Sequence, residues 1–139
     1  MRNKPKTPRF ISDLPANARS PCPVACALDI LGDKWTLLII RDLFLGKRRF
    51  KEFLESPEGI TPNILTERLR RLEKVSVIIR HRYNERPPRD EYQLTPKGAE
   101  LSPTVLALVD WSLAHIPGTK RMKPIREPAI SGVGAVKID

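Results

Sequence analysis

Apolar positions in the first half of the chain recur at the spacing of amphipathic helices. A short helix is predicted from Pro23 to Leu31, because Gly32 follows it as a stop signal. A second helix is predicted from Lys34 to Leu45, with Asp33 as its cap and Gly46 at its end. The second helix has almost no polar face. We therefore expect it to lie at the centre of the core.

A helix, a turn and a second helix follow this core segment. Phe50, Phe53 and Leu54 give the first of them a single apolar stripe, and residues 56–59, Ser-Pro-Glu-Gly, form the turn. The next helix is predicted from Pro62 to Lys74, with Thr61 as its cap. Its leucines at positions 65, 69 and 72 fall on one side of the helix, and its polar residues fall on the other.

The pattern changes to strand alternation after this helix. Strands are predicted at residues 78–83 and 90–95, joined by six residues that contain a stiff di-proline. Alternation places Arg80 and Arg82 on the same face of the first strand. The hairpin reads as the wing of a winged helix-turn-helix. The alternative is an exposed loop whose prolines only prevent edge-to-edge strand pairing.

The charges of the chain are concentrated in this same region. Residues 47–89 contain 12 Lys and Arg against 6 Asp and Glu, whereas the rest of the span 21–116 contains 3 against 7. The whole chain has a formal net charge of +9. A basic block within a slightly acidic body is the electrostatic footprint of a protein that binds a polyanion.

The fold class predicted from these patterns is mainly α with a small β-wing, a winged helix-turn-helix, and its predicted partner is double-stranded DNA. The competing interpretation of the fourth helix is a solvated amphipathic helix without a ligand. Polar residues of this helix and basic residues of the wing form the predicted DNA-binding set: Thr61, Asn63, Thr66, Glu67, Arg70, Arg71, Lys74, Arg80, Arg82, Arg86 and Arg89.

Several motifs resemble those of the HxlR-type winged helix-turn-helix regulators, which are relatives of the MarR group. They are the opening CPVACALDILGDKW, the segment RFKEF, the recognition helix GITPNILTERLRRLE and the wing with the start of the last helix, RPPRDEYQLTPKGAEL. The resemblance covers about Cys22 to His115. It implies a cytoplasmic homodimer that binds operator DNA as a repressor or activator. A winged-helix module that binds proteins and has lost specific DNA binding is the alternative.

Two departures from the family pattern are visible. Asp33 replaces the second glycine before Lys34-Trp35, and Asp is the better helix cap. Relatives usually carry an Asp-Gly-Leu-like turn after the recognition helix, whereas residues 74–77 here read Lys-Val-Ser-Val. Ser76 must therefore either accept a left-handed conformation, at a cost of about 1 kcal/mol, or the helix ends in another way.

The last helix carries an apolar stripe that indicates a dimer interface. Thr95 caps this helix, Pro96 takes its first position, and Pro103 is expected to kink it. A helix of some 20 residues is about 30 Å long. This length exceeds what is needed to cover a compact three-helix core. Pattern and resemblance together predict dimerisation through this terminal helix, with packing on the first helix as the alternative for part of the stripe. The predicted interface residues are Leu101, Val105, Leu108, Val109 and Ile116.

Cys22 is the candidate for chemistry beyond binding. It lies at the predicted N-terminus of the first helix, where the helix dipole favours a thiolate. In some members of the family that this chain resembles, a cysteine here senses oxidants. Cys26 lies one turn further on, in a poor geometry for an intrahelical disulfide. Oxidation would then give an intersubunit disulfide or an adduct, and the alternative is an unreactive structural cysteine.

The remaining parts of the sequence set the boundaries. Residues 1–20 are predicted to form a basic flexible arm, residues 21–116 the domain, and residues 117–139 a basic, partly mobile tail. No secretion signal, membrane span, catalytic constellation or metal set is evident, so we expect a cytoplasmic protein that is not an enzyme and needs no cofactor. An oxidant or another small molecule is a candidate effector.

Overall fold

Helices account for most of the fold, and two antiparallel strands form the wing. The structure, a computed structural model, describes residues 14–132. Residues 1–13 of the predicted arm and residues 133–139 of the predicted tail thus lie outside the described residues. The elements are α1 (Pro23–Leu31), α2 (Thr36–Phe44), α3 (Phe50–Leu54), α4 (Pro62–Lys74), β1 (Ile78–Glu85), β2 (Pro88–Leu94), α5 (Pro96–Ala99) and α6 (Ser102–His115). A winged helix-turn-helix was the predicted fold, and the helix order and the wing confirm it.

Helix α2 forms the centre of the core, as its lack of a polar face predicts. Ile39, Ile40 and Leu43 are at most 2% exposed. The helix begins at Thr36 and not at Lys34, because the side chain of Asp33 first accepts hydrogen bonds from the backbone N–H groups of Trp35, at 2.9 Å, and Thr36, at 3.1 Å. Asp33 therefore provides the hydrogen-bond acceptor for unpaired N–H groups at the start of α2, although it lies just before the regular helix.

The helix-turn-helix packs directly on this core. The leucines of α4 at positions 65, 69 and 72 are at most 2% exposed, which fixes the orientation of the helix about its own axis. Ile60 is 8% exposed and fills the corner between α3 and α4. Thr61 caps α4, because its hydroxyl accepts a hydrogen bond from the N–H of Ile64 at 3.5 Å. The opposite face of α4 is thereby directed away from the core.

The wing is longer than predicted. Strand β1 extends to Glu85 and β2 begins at Pro88, which pairs with Glu85, so the tip is Arg86-Pro87 and not a six-residue connection. The di-proline does not form the whole tip, because Pro88 is the first residue of β2, where a missing N–H does not interrupt the ladder.

The predicted terminal helix is divided in two. Helix α5 ends at Ala99, and α6 begins at Ser102. Pro103 lies in the first turn of α6, where a residue without an N–H is tolerated, and therefore begins this helix instead of kinking a longer one. With 14 residues, α6 is about 21 Å long. The expected length of about 30 Å in one helix was wrong.

Residues 125–131 form a strap that packs back onto the core. The N–H of Ile125 donates to the carbonyl of Leu45 at 2.8 Å, and the N–H of Ala129 donates to that of Leu43 at 3.0 Å. Ala129 itself is 2% exposed, and its carbonyl accepts from the N–H of Leu94 at 2.7 Å. The predicted boundary at residue 116 therefore does not mark the end of packing, because the strap connects α2 to the base of the wing.

The described residues contain no helix that is both long enough and apolar enough to cross a membrane.

Ser76 adopts the left-handed conformation that the sequence left as one of two outcomes, with φ of 61°. Its N–H donates to Glu73 at 3.0 Å, and the N–H of Val77 donates to Leu72 at 3.0 Å, which together form a Schellman motif at the end of α4. The motif thus forms around a residue that has a Cβ.

Replacing the exposed Ser76 with Gly should raise the free energy of unfolding by about 0.5 to 1 kcal/mol, because the strain at positive φ disappears. The same substitution at Ser112, inside α6, should lower it by a similar amount, because glycine disfavours a helix interior. Urea denaturation measures both. Two changes of the same sign would contradict this account of Ser76.

Candidate DNA-binding interface

The polar face of α4 is open to solvent. Asn63, Glu67, Arg70, Arg71 and Lys74 are all exposed. Thr66 is half-buried, and the hydroxyl of Thr61 is engaged in capping, so these two are less available than predicted. A helix with one buried and one exposed face, preceded by a helix and a turn, has the arrangement of a recognition helix.

The exposed charges of α4 are not equivalent. Glu67 forms ion pairs with Arg68 and, at 3.7 Å, with Arg71. Among the ion pairs found within residues 14–132, none involves Arg70 or Lys74. These two cations are therefore free to attract an anion.

Arg68 has a different role from its neighbours on the same helix. Its Nε donates to Asp33 Oδ1 at 3.0 Å, which joins the recognition helix to the start of α2. Partial burial opposes ionisation of Asp33, but hydrogen bonds from Thr36, Arg68 and two backbone N–H groups outweigh it and hold the pKa of this carboxyl far below its ordinary range. The spacing of residues in α4 gave no sign of this contact, because the partner lies 35 positions earlier.

The turn of the helix-turn-helix is fixed by a buried carboxylate. Asp42 is 3% exposed, accepts a hydrogen bond from Ser56 and lies 2.9 Å from Arg41 Nη2. Arg41 also binds Glu58 in a bidentate pair, with both N···O distances at 2.8 Å. That guanidinium lowers the pKa of the Glu58 carboxyl. Lys47 completes the network by donating to Ser56 Oγ at 2.6 Å.

The wing arginines divide into two pairs. Arg82 lies 3.3 Å from Asp90, and Arg80 lies 3.5 Å from Glu73 and 3.8 Å from Asp90. Acids of the same chain therefore offset part of the charge of Arg80 and Arg82. Arg86 and Arg89 are exposed, and neither takes part in an ion pair of the described chain.

A third chain segment joins the wing, and the sequence pattern did not reveal it. Residues 48 and 49 run beside β2, because the N–H of Tyr92 donates to the carbonyl of Arg48 at 2.7 Å and Arg49 bridges to Glu91. The guanidinium of Arg49 lies 4.4 Å from the centre of the Tyr83 ring. This cation–π contact braces the wing against the start of α3.

Both cysteines are free thiols on α1. Cys22 is exposed at the N-cap and its side chain makes no capping hydrogen bond. Cys26 is half-buried, with its Sγ 3.2 Å from the carbonyl oxygen of Ser20. Cys22 is thus the more accessible thiol.

The five predicted interface residues do not share one environment. Val105 is 6% exposed and belongs to the core of its own chain, with Leu101 packed partly against it. Leu108 and Ile116 are 49% and 44% exposed, and Val109 is half-buried. Other large apolar side chains that the prediction did not include are also exposed: Val24, Leu28, Trp111 and Leu113. No group of three or more His, Cys, Asp or Glu in residues 14–132 could hold a metal ion.

Comparison with known proteins agrees with this geometry. The family model for HxlR-like helix-turn-helix proteins matches residues 30–122. An HTH-type transcriptional regulator of Synechocystis sp. is 42% identical over 87 residues, which cover 63% of this chain and 64% of that protein, so the chain spans just under two thirds of this relative.

Solved structures show the same fold. The crystal structure of PA1607, assigned as a transcription factor, has a TM-score of 0.67 at 35% identity, covering 85% of this chain and 83% of the other. The redox regulator HypR in its oxidized form has a TM-score of 0.62 at 36% identity, covering 73% of this chain and all of the other (100%).

Replacing Asp33 with Asn should lower the free energy of unfolding at pH 7 by about 1 to 3 kcal/mol, because Arg68 loses its charged acceptor. Since the folded-state pKa is depressed, the stabilisation is fully present above the unfolded pKa of about 4 and is lost progressively as the pH falls from there towards the much lower folded-state pKa. The difference between parent and variant should therefore shrink in acid.

Asp110 provides the control, because it is 68% exposed and pairs with Arg121 at 3.2 Å. Asp110→Asn should change the stability little at either pH. Thermal or urea unfolding at pH 7 and pH 3 measures both variants, and a difference for Asp33→Asn that does not depend on pH would refute the charged contact.

Proposed function

The chain belongs to the HxlR-like helix-turn-helix family of transcriptional regulators, and we propose that it binds operator DNA sequence-specifically as a cytoplasmic homodimer and acts as a repressor or activator. The observation that carries the proposal is the exposed face of α4. Asn63, Arg70 and Lys74 lie on this face, opposite the buried leucines of the helix. This face has the size and chemistry to enter a major groove.

Asn63 and Arg70 are the proposed readers of base edges. An asparagine can pair bidentately with adenine, and an arginine with guanine. Lys74, Arg71, Arg86 and Arg89 are proposed to contact phosphates, which fix the position of the protein on the duplex. Arg80 and Arg82 are assigned a lesser role than the sequence alone predicts, because acids of the same chain already neutralise part of their charge.

Dimerisation is proposed through α6 together with α1. Leu108, Trp111, Leu113 and Ile116 are each at least 39% exposed on α6 or at its end, and Val24 and Leu28 on α1 are 66% and 50% exposed. Apolar surface of this extent is typical of a protein interface. A homodimer that binds DNA in this way must hold its two recognition helices about 34 Å apart, the spacing of successive major grooves.

An oxidant is the proposed effector, acting on Cys22. The thiol is exposed at the N-cap of α1, the helix that carries Val24 and Leu28 of the proposed dimer surface. A solved relative of 36% identity is the redox regulator HypR.

Replacing Arg70 with Ala should weaken binding to the preferred site by about 1 to 3 kcal/mol and relax the preference at one base pair. Arg71→Ala should instead weaken binding by a similar amount on every sequence, because a phosphate contact carries no base information. Sites selected from a random duplex pool, followed by fluorescence anisotropy, measure both effects. An unchanged base preference in Arg70→Ala would remove Arg70 from the set of base readers.

Replacing Arg86 and Arg89 together with Ala should weaken specific and non-specific binding alike. The slope of log K against log salt should become shallower by about 0.9 for each phosphate that the variant no longer neutralises. The matched control is Lys120→Ala with Arg121→Ala, and its slope should equal that of the parent. Both residues line a groove between α2 and α6 to which the wing contributes no residue. Equal slopes in the wing variant and the parent would show that the wing tip stands clear of DNA.

Mild oxidation with diamide should modify Cys22 before Cys26 and change operator affinity without unfolding the protein, because Cys22 is the more exposed thiol. Non-reducing gels and operator binding are followed together in the parent, in Cys22→Ser and in Cys26→Ser. Loss of the response only in Cys22→Ser is the expected result. A response that survives in that variant would leave Cys22 as a structural residue.

A further inference from the structure

An open cavity of about 810 Å³ lies between the start of α3 and the wing. It is separate from the exposed face of α4, and no residue of α4 lines it. Of its twelve lining residues, three are acids and five are Arg or Lys: Arg48, Arg49, Lys51, Arg89 and Arg126. The lining thus has an excess of two positive charges.

The three acids are already committed to partners within the chain. Glu52 binds Arg126 at 2.5 Å and accepts from the backbone N–H groups of residues 48 and 49, and these contacts hold its pKa below the ordinary value although partial burial opposes this. Glu91 lies 3.3 Å from Arg49, and Asp90 lies 3.3 Å from Arg82. Within the described chain, Arg48, Lys51 and Arg89 are left without a carboxylate.

Arg48 is the least satisfied of these cations. It is half-buried, and Nη2 makes one long hydrogen bond to the carbonyl oxygen of Glu127, at 3.4 Å. Its Nε is shielded from solvent and has no acceptor in the described chain. A shielded donor without an acceptor is costly, and a guanidinium pairs best with the two oxygens of an oxyanion. Nη2 is thus the only nitrogen of this guanidinium with a hydrogen bond in the described chain, and that bond is long.

We propose that this cavity binds a phosphate group, with Arg48 as the main contact and Lys51 and Arg89 as the supporting charges. The excess of two positive charges suits a phosphate group, which carries about −1.5 to −2 as a monoester at neutral pH and about −1 as a diester of a DNA backbone. The rings of Phe50, Tyr83 and Tyr92 give the cavity an apolar wall for the body of a phosphorylated molecule.

The strap completes the cavity and lies outside the region shared with the family. The family model ends at residue 122, whereas Arg126 lines the cavity and Glu127 supplies the hydrogen bond to Arg48. The phosphate belongs either to a free small molecule or to the backbone of bound DNA. Only the second source rests on the proposed function.

The first experiment uses no DNA. Inorganic phosphate is titrated into the ¹⁵N-labelled full-length chain against chloride at equal ionic strength, and the arginine Nε–Hε signals are followed by NMR. The Arg48 signal should shift in a saturable way, with a midpoint in the range of about 1 mM. Arg48→Gln should weaken the binding at least about tenfold.

Two further variants keep the test decisive. Lys51→Gln with Arg89→Gln changes exposed residues, so it should weaken phosphate binding without affecting the fold. Arg121→Gln removes an exposed arginine that pairs with Asp110 and lines another groove, and should leave phosphate binding unchanged.

The second experiment identifies the source of the phosphate. If DNA supplies it, Arg48→Gln should make the slope of log K against log salt shallower by about 0.9 for each protomer on duplex DNA, and therefore by about 1.8 for the homodimer. If a small molecule supplies it, this slope stays unchanged while inorganic phosphate still binds. No saturable phosphate binding together with an unchanged slope overturns the proposal, and so does phosphate binding that neither cavity variant weakens. Failure to find a preferred operator would refute the proposed function and leave the phosphate titration valid.

Discussion

The buried carboxylate of Asp42 is the constraint on which the positions of the other elements depend. A charge that is 3% exposed is tolerated only with complete compensation, and the compensating groups come from three places. Arg41 comes from the same helix, Lys47 from the segment after it, and Ser56 from the turn between α3 and α4. Since Arg41 also holds Glu58 in a bidentate pair, the turn is fixed at two points. Moving the turn away from α2 would deprive Asp42 of the hydrogen bond from Ser56 and Arg41 of its pair with Glu58, so these contacts hold the α3–α4 unit on the core.

The recognition helix is held along its length by three different kinds of interaction. Near its start, the buried leucines and Ile60 set its rotation, and in the middle Arg68 joins it to Asp33 at the beginning of α2. At its end, the left-handed Ser76 closes the Schellman motif and leads the chain into β1. The wing is then connected back to α2 by the strap, through Leu94 and Ala129. A binding surface assembled from helix, wing and strap can keep a fixed geometry, which sequence-specific recognition requires.

Local patterns were sufficient to predict the elements, because the period of apolar residues and the cap and turn residues act over a few positions. The order of helices, the exposed face of α4, the cap at Thr61 and the wing all follow from such signals. Contacts between distant positions were not predictable. Arg68 looked like any exposed arginine of α4 until Asp33, 35 residues earlier, was placed beside it. The weakly patterned segment 125–131 resembled a tail, yet backbone hydrogen bonds, which leave no mark in a hydropathy pattern, hold it in place. Pro103 was misread because the break after Ala99 puts it in a first turn and not in a helix interior.

The arginines show why charge counting alone could not identify the interface. The sequence places twelve basic residues in positions 47–89 without distinguishing between them. In the fold, Arg68 holds a helix, Arg49 stacks on Tyr83, and Arg80 and Arg82 share Asp90. An arginine already bound to a carboxylate of its own chain must give up that partner before it can bind another anion, and so gains less from it. The cations with most to gain from an external phosphate or base are therefore those that the fold leaves without an acid. In the described chain these include Arg70 and Lys74 on α4, Arg86 and Arg89 on the wing, and Arg48 in the cavity beside it. The position of the proposed interface therefore depends on which acids form ion pairs within the chain as much as on where the basic residues lie in the sequence.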